Sequence, residues 1–200
     1  MAVRAAAVAG MVGPVLFAAT LGALTVIQYD FMLGMGWRPL EDPAGAWPSG
    51  LALGPHGWAQ NASFVLSGTL LALFAAGLHL GARGGSWIGP ALLSVAGAAM
   101  ALMGFETDPI QSQGPRTLHN LIHDLAFALF ALALLTSLFF LWRRFGEDAP
   151  WRGHARYTLA TGVIATLSLF LPGVAYYLFI AVVLVWFEVT AIRLWRLSGG

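Results

Sequence analysis

The chain has 200 residues, of which 58% are hydrophobic and 10% are charged, and its formal net charge is +1. Soluble domains carry about a quarter charged residues, so this composition excludes an ordinary water-soluble fold and favours a membrane protein. The near-neutral charge gives no support for nucleic-acid binding. The absence of cysteine excludes disulfides, thiolate nucleophiles and cysteine-ligated metals.

Six apolar segments are long enough, or nearly so, to cross a bilayer, which takes about 20 mostly apolar residues. They cover residues 10–31, 60–81, 87–105, 118–142, 157–171 and 174–194. The first apolar run is longer than the apolar part of a secretory signal, about 7–15 residues, and we interpret it as a retained helix. No internal repeat divides the chain. The sequence therefore predicts an all-α, polytopic membrane protein with one domain over residues 1–200, a bundle of six transmembrane helices.

Two connections in this chain carry turn signals. Pro172-Gly173 separates the fifth and sixth segments and predicts that they form a helical hairpin. The longest loop, residues 32–59, joins the first and second segments and contains four prolines. We expect these prolines to order the loop, which would then cap the bundle.

Arginine positions predict the orientation, because cytoplasmic loops carry the excess of basic residues. With the N-terminus inside, eight of the ten basic residues lie on the inner side: Arg4, Arg83, Arg143, Arg144, Arg152, Arg156, Arg193 and Arg196. Only Arg38 and Arg116 lie outside. An even number of spans returns the C-terminus, so we expect a cell (inner or plasma) membrane protein with both termini in the cytoplasm.

Tryptophans mark the ends of the predicted helices. Seven of the eight lie in loops or near helix ends: Trp37, Trp47, Trp58, Trp87, Trp142, Trp151 and Trp195. Their amphipathic rings are typical of the two membrane–water interfaces. The sequence thus predicts two aromatic belts, and membrane lipids are the expected surroundings and partners of the chain.

Acidic and histidine side chains collect at the predicted outer end. Asp108 ends the third segment, and a short loop brings it beside the fourth, which begins with His119 and His123. Residues four apart share one face of a helix, and Asp124 follows directly. Two imidazoles and a carboxylate can bind zinc or another divalent metal with water as a fourth ligand. Such a metal makes its water a nucleophile, and Asp124 or Glu106 would be the acid–base partner.

The same side chains also have a purely structural interpretation. Asp108 precedes Pro109 and can simply cap and end a helix, while Asp124 can pair with Arg116 or His119. A histidine at this level can also sit in headgroup water. Both the metal-site and the structural interpretation stay open at this point.

Three other ionisable groups have weaker functional signals. His79 is expected to extend toward the basic end of the second segment. His154 is expected to be solvated in a basic inner loop. Glu188 is the deepest acid of the inner half, and Arg193 or Arg156 would neutralise it.

Three stretches together resemble the bacterial membrane family called domain of unknown function 998. They are Gly54-Pro55-His56-Gly57-Trp58-Ala59-Gln60-Asn61, Phe105-Glu106-Thr107-Asp108-Pro109, which is similar to the family's F-x-T-D-P, and Leu118-His119-Asn120-Leu121-Ile122-His123-Asp124, which is similar to its H-x-x-x-H-D. The chain has Glu106 where the family commonly has proline, and Asn120 where it commonly has glycine. The resemblance implies six helices with an outer polar cluster, and it implies no activity.

Two functional hypotheses follow. One is a lipid-handling or accessory membrane protein whose His/Asp cluster is structural. The other is a metal-dependent hydrolase or transferase that acts on a lipid-like substrate at the outer membrane–water interface, with Asp108, His119 and His123 as metal ligands. The sequence does not decide whether the protein is an enzyme.

Overall fold

The computed structural model describes residues 1–37, 48–109, 114–171 and 175–199, and within these ranges it contains helices and no strand. The α-helices are α1 (Ala2–Ile27), α2 (Tyr29–Gly34), α3 (Gly57–Gly81), α4 (Ile88–Leu102), α5 (Leu118–Glu147), α6 (Arg152–Phe170) and α7 (Ala175–Leu197). Two short 3₁₀ segments, Pro48–Leu53 and Ala149–Trp151, precede α3 and α6. A long helix lies at each of the six apolar segments.

The main difference from the expected first helix is a break at Gln28. Its buried side chain donates to the carbonyl of Leu51 (2.9 Å) and accepts from the amide of His56 (2.7 Å). Gln28 thereby fastens the junction of α1 and α2 to the segment that leads into α3. The central part of the long loop, residues 38–47, and the turn predicted at Pro172-Gly173 lie outside the described residues.

Four helices in the described ranges are long and apolar enough to cross a membrane: α1, α3, α5 and residues Tyr176–Leu197 of α7. They indicate a multi-pass membrane protein. The remaining two long helices do not reach this standard alone. Helix α4 has 15 residues and is about 22 Å long at 1.5 Å per residue. Helix α6 carries Arg152 and Arg156 in its first turns.

The six long helices form a closed ring. Each packs against the next in the order α1, α3, α4, α5, α6, α7, and α7 packs against α1. The main apolar core runs through the ring, with fully buried aromatic residues such as Phe74, Phe145 and Trp186, and a smaller cluster lies around Met32 and Trp37. Helices α4 and α6 therefore occupy positions between longer helices on both sides.

Glycines allow the main chains of α3 and α4 to approach each other closely. A Cβ atom on Gly68 would lie 2.5 Å from the carbonyl oxygen of Gly97, and one on Gly97 would lie 2.7 Å from that of Gly68. Because these neighbours are backbone atoms, they cannot turn aside as a flexible side chain can. Small residues allow such contacts between helices in lipid, where the hydrophobic effect gives little drive for association.

Contacts between basic residues and neighbouring elements define one end of the ring. Arg4 of α1 lies over the ring of Trp195 in α7, with 5.3 Å between the guanidinium carbon and the ring centroid. Arg193 donates to the carbonyl of Pro150, in the connection between α5 and α6. Helix ends from both halves of the chain therefore meet at an arginine-rich end of the ring.

His154 lies at this end but is not solvated, which corrects the expectation from its basic neighbours. Only 6% of its surface is exposed. Its Nε2 atom lies 2.8 Å from the hydroxyl of Thr190, and its ring contacts Trp151 and Tyr157. The imidazole is part of the packing between α6 and α7.

Candidate functional site

The opposite end of the ring contains the polar cluster, which is built around the first turn of α5. Thr117 is the N-cap residue, and its hydroxyl oxygen accepts from the amide of Asn120 (3.2 Å). The hydroxyl and the amide of Thr117 both donate to the Asp108 carboxylate, at 2.7 and 2.8 Å. These two bonds, the side-chain one first, lower the pKa of Asp108 below its ordinary value. Asp108 thus joins the segment after α4 to the positive end of α5.

Asn120 is the second connection between the two segments. Its Oδ1 atom accepts from the amide of Asp108 and from the hydroxyl of Thr107, both at 2.9 Å. Its Nδ2 atom donates to Asp124 at 3.0 Å. Because the Asp108 amide can only donate, the orientation of the Asn120 amide is fixed, and the Thr107 proton is used in this bond.

His123 is the third connection, one turn deeper. Its Nδ1 atom lies 2.9 Å from the carbonyl oxygen of Phe105. A carbonyl oxygen accepts only, so Nδ1 carries the proton, and in the neutral ring Nε2 is left as an acceptor. The imidazole is 5% exposed, and its edge meets the ring of Phe64 in α3 with 6.0 Å between centroids.

The other predicted site residues have contacts of their own. Asp124 forms an ion pair with Arg116, and their side chains are 42% and 67% exposed. His119 is exposed and packs edge-on against Phe105, with 5.5 Å between ring centroids. Glu106 accepts from Asn61 of α3 at 3.3 Å.

The metal site predicted from Asp108, His119 and His123 is not supported. Among the described residues, no three His, Asp or Glu side chains are grouped closely enough to bind a metal ion. The physical reason is that separate contacts hold these side chains away from a common point. Thr117 holds Asp108, and Phe105 holds Nδ1 of His123. A catalytic role for Asp124 or Glu106 stays a prediction.

Below the polar cluster, a cavity of about 320 Å³ extends into the ring. It lies between α1, α3, α4, α5 and α7. Most of its wall is aromatic or aliphatic, and its described lining residues are Phe17, Pro48, Ser49, Phe64, Met100, Met103, Thr107, His123, Asp124, Phe127, Phe130, Tyr176, Phe179, Ile180, Val183, Leu184 and Phe187. Polar side chains are concentrated at one end, where His123, Asp124 and Thr107 meet it. The arrangement can hold a mostly apolar molecule that has one polar group.

Sequence reasoning located the polar end of this cavity but not its walls. Phe130, Phe179 and Phe187 have the same apolar spacing as ordinary core residues, so the periodicity of α5 and α7 cannot distinguish a filled interior from a hollow one. Ser49 belongs to a loop that carried no chemical motif. The proline-rich composition around it was a signal only that this loop covers the bundle.

One family profile matches the chain: the family is described as Protein of unknown function (DUF998), and the match covers residues 17–194. This range begins inside α1 and reaches nearly to the end of α7, and it includes the complete cluster and the cavity. No curated protein and no solved structure matches the chain. The match confirms the resemblance seen in the three sequence stretches.

Proposed function

This chain belongs to the DUF998 family of proteins of unknown function, and we propose that it is a membrane protein that binds a lipid-like molecule inside its helical ring. The single observation that carries the proposal is the cavity, which joins an apolar interior to a polar end. Ligand cavities in proteins have volumes of about 300–1,000 Å³ and combine apolar walls with a few polar groups. A volume of about 320 Å³ suits one alkyl chain or a compact ring system better than a two-chain phospholipid.

We further propose that all six long helices cross the membrane. Helix α4 packs between α3 and α5, and α6 packs between α5 and α7. Each of these neighbours is apolar enough to span by itself. A helix placed between spanning helices lies at the same depth, and the tilt and local thinning of a bilayer accommodate a short span at modest cost.

The proposed orientation puts the arginine-rich end in the cytoplasm and the polar cluster at the outer face. The positive-inside rule supports it, since eight of the ten arginines belong to one end. Exposed tryptophans support a membrane between the two ends. Trp58 lies near the polar cluster end of α3, while Trp87, Trp142 and Trp195 lie near the arginine-rich end.

Reporter fusions test this orientation directly. A reporter that is active only in the cytoplasm should give a signal when fused after Gly84 or Gly153, and none when fused after Gly114. A cytoplasmic signal after Gly114 would place the polar cluster on the inner side and reject the arrangement.

Two substitutions on one helix test ligand binding. Val183 lines the cavity and is 4% exposed, while Val185 is 55% exposed on the outside of the ring. Val183→Phe should fill the cavity and exclude a ligand, and Val185→Phe adds the same atoms outside it. Native mass spectrometry of protein released from its own membranes should show a bound small molecule in wild type and Val185→Phe. Its mass should be absent from Val183→Phe.

The outcomes separate cleanly when thermal unfolding shows that both variants are folded. A bound molecule that Val183→Phe retains at the wild-type level would not occupy the cavity. Wild-type protein with no bound small molecule, and with no stabilisation by any single-chain amphiphile, would reject the proposed function. The alternative, a metal-dependent hydrolase or transferase, stays a prediction, and these measurements do not test it.

A further inference from the structure

The polar side chains at one end of the cavity offer mainly hydrogen-bond acceptors to a ligand. Nε2 of His123 has no partner among the described residues, and it belongs to a side chain that is 95% buried and lines the cavity. The Phe105 carbonyl holds a proton on the other nitrogen, so Nε2 presents a lone pair in the neutral ring.

The two neighbouring polar groups have the same role. Thr107 donates its only hydroxyl proton to Asn120, so its oxygen can only accept a further bond. Asp124 uses one carboxylate oxygen for Arg116 and Asn120. Its other oxygen has no partner in the described part of the chain. Three fixed acceptors therefore surround this end of the cavity.

The described lining residues include no positive charge that could receive an anion. No arginine is among the described lining residues. Arg116 lies nearby, but its charge is paired with Asp124. Ser49 and Tyr176 have hydroxyls that can take either role. An anionic headgroup would therefore meet a carboxylate and lone pairs, and the ion pair with Arg116 leaves little net charge to attract an ammonium group.

We infer that the ligand is a neutral single-chain amphiphile whose hydroxyl headgroup donates its one proton to Nε2 of His123, beside the Asp124 carboxylate, with its alkyl chain between the phenylalanines. This inference rests on the proposed function, and it adds the chemistry of the headgroup. It excludes free fatty acids and phosphate headgroups, which bring acceptors and negative charge. The inference is tested by measuring which headgroup the protein binds most tightly.

Three probes with the same alkyl chain measure that order. Decanol can donate, decyl methyl ether can only accept, and decanoate is an anion. Binding to the protein in lipid nanodiscs is measured by calorimetry, with empty nanodiscs to correct for partition into lipid. Decanol should bind about tenfold more tightly than the ether, as expected for one net hydrogen bond, and decanoate should bind most weakly. Val183→Phe should abolish binding of all three.

Two variants assign the preference to its residues. His123→Phe keeps an aromatic ring and removes Nε2, so decanol should lose its tenfold advantage while the ether binds as before. Asp124→Asn keeps the shape of the side chain and replaces one acceptor by a donor, so it should shift the preference toward the ether. If thermal unfolding shows that His123→Phe does not fold, the relative affinity of Asp124→Asn for decanol and the ether tests the inference.

Three outcomes are distinguishable. Preference for decanol that both folded variants reduce supports the inference. Equal binding of the probes, or tightest binding of decanoate, overturns the headgroup inference and leaves the cavity as a binding site. No saturable binding of any probe overturns the proposed function itself, and the inference with it.

Discussion

Arg144 of α5 donates from its guanidinium to the carbonyl of Ala82, the residue that follows α3. Further bonds reach the carbonyls of His79 (3.0 Å), Gly85 (3.1 Å) and Ser86 (2.8 Å). The last carbonyls of a helix lack intrahelical partners and form its negative end. Arg144, which is 4% exposed, bonds two carbonyls at the end of α3 and two in the turn before α4, and it thereby connects α3, α4 and α5.

Substitution of Arg144 should therefore destabilise the protein strongly. Arg144→Gln removes the charge and most of the donors and leaves buried carbonyls unpaired. Hydrogen bonds to charged groups contribute about 1.5–3 kcal/mol each, so we expect a loss of about 3 kcal/mol. Arg143→Gln is the matched control, since Arg143 is exposed and surface substitutions usually change stability by about 0.5 kcal/mol or less. Thermal unfolding in detergent measures both, and equal midpoints would contradict the capping role.

The Gly68–Gly97 crossing predicts an asymmetry among glycines. In Gly97→Ala the new Cβ meets backbone atoms of α3 at 2.7 Å, so the helices must separate. Overpacking of this kind costs about 1–3 kcal/mol. Gly22→Ala adds the same atom in α1 where no other atom lies within 4 Å, and it should leave the unfolding midpoint unchanged or slightly raised. A neutral Gly97→Ala would mean that α3 and α4 are not in backbone contact.

The Asp108–Thr117 contact predicts a loss of stability in acid. Asp108 has a lowered pKa in the folded protein, so its contribution is complete above its ordinary pKa of 3.8 and is lost as the pH falls through the folded value. Asp108→Asn should lower the unfolding midpoint at neutral pH, and its curve should approach that of wild type below pH 3.8. Parallel curves for the two proteins down to the most acid pH would show that the carboxylate does not cap α5.

The two histidines of the H-x-x-x-H-D stretch should differ in their effects. His123→Ala removes a buried ring, its bond to Phe105 and its contact with Phe64, so we expect a loss of about 2–4 kcal/mol. His119→Ala removes an exposed ring and should change stability by about 0.5 kcal/mol or less. Metal analysis of the same preparations is an independent check. Stoichiometric zinc in wild type that falls in both variants would restore the metal-site hypothesis.

The positions of the six helices were predictable because apolar run length is a one-dimensional property. The break at Gln28 was not, because it depends on carbonyl and amide groups more than twenty residues away. His154 was misplaced for a similar reason. Its sequence neighbours Arg152 and Arg156 are exposed, but the helix turns the imidazole toward Thr190.

At the candidate site, the sequence predicted that Asp108 lies beside the first turns of α5 but did not predict the hydrogen-bond partners of Asp108 and His123. The spacing of His119 and His123 placed both on one side of α5, and the short connection brought Asp108 near them. Which donor meets Asp108 depends on the path of the chain before α5, where Thr117 comes closer to it than either imidazole. Hydrogen bonds therefore connect the F-x-T-D-P stretch directly to the H-x-x-x-H-D stretch.

The contact between α7 and α1 has a consequence for biogenesis. During synthesis, the cavity stays open on one side until α7 packs against α1. Residues of α7 from Tyr176 to Phe187 line the cavity, so its wall is complete only after this helix has been made.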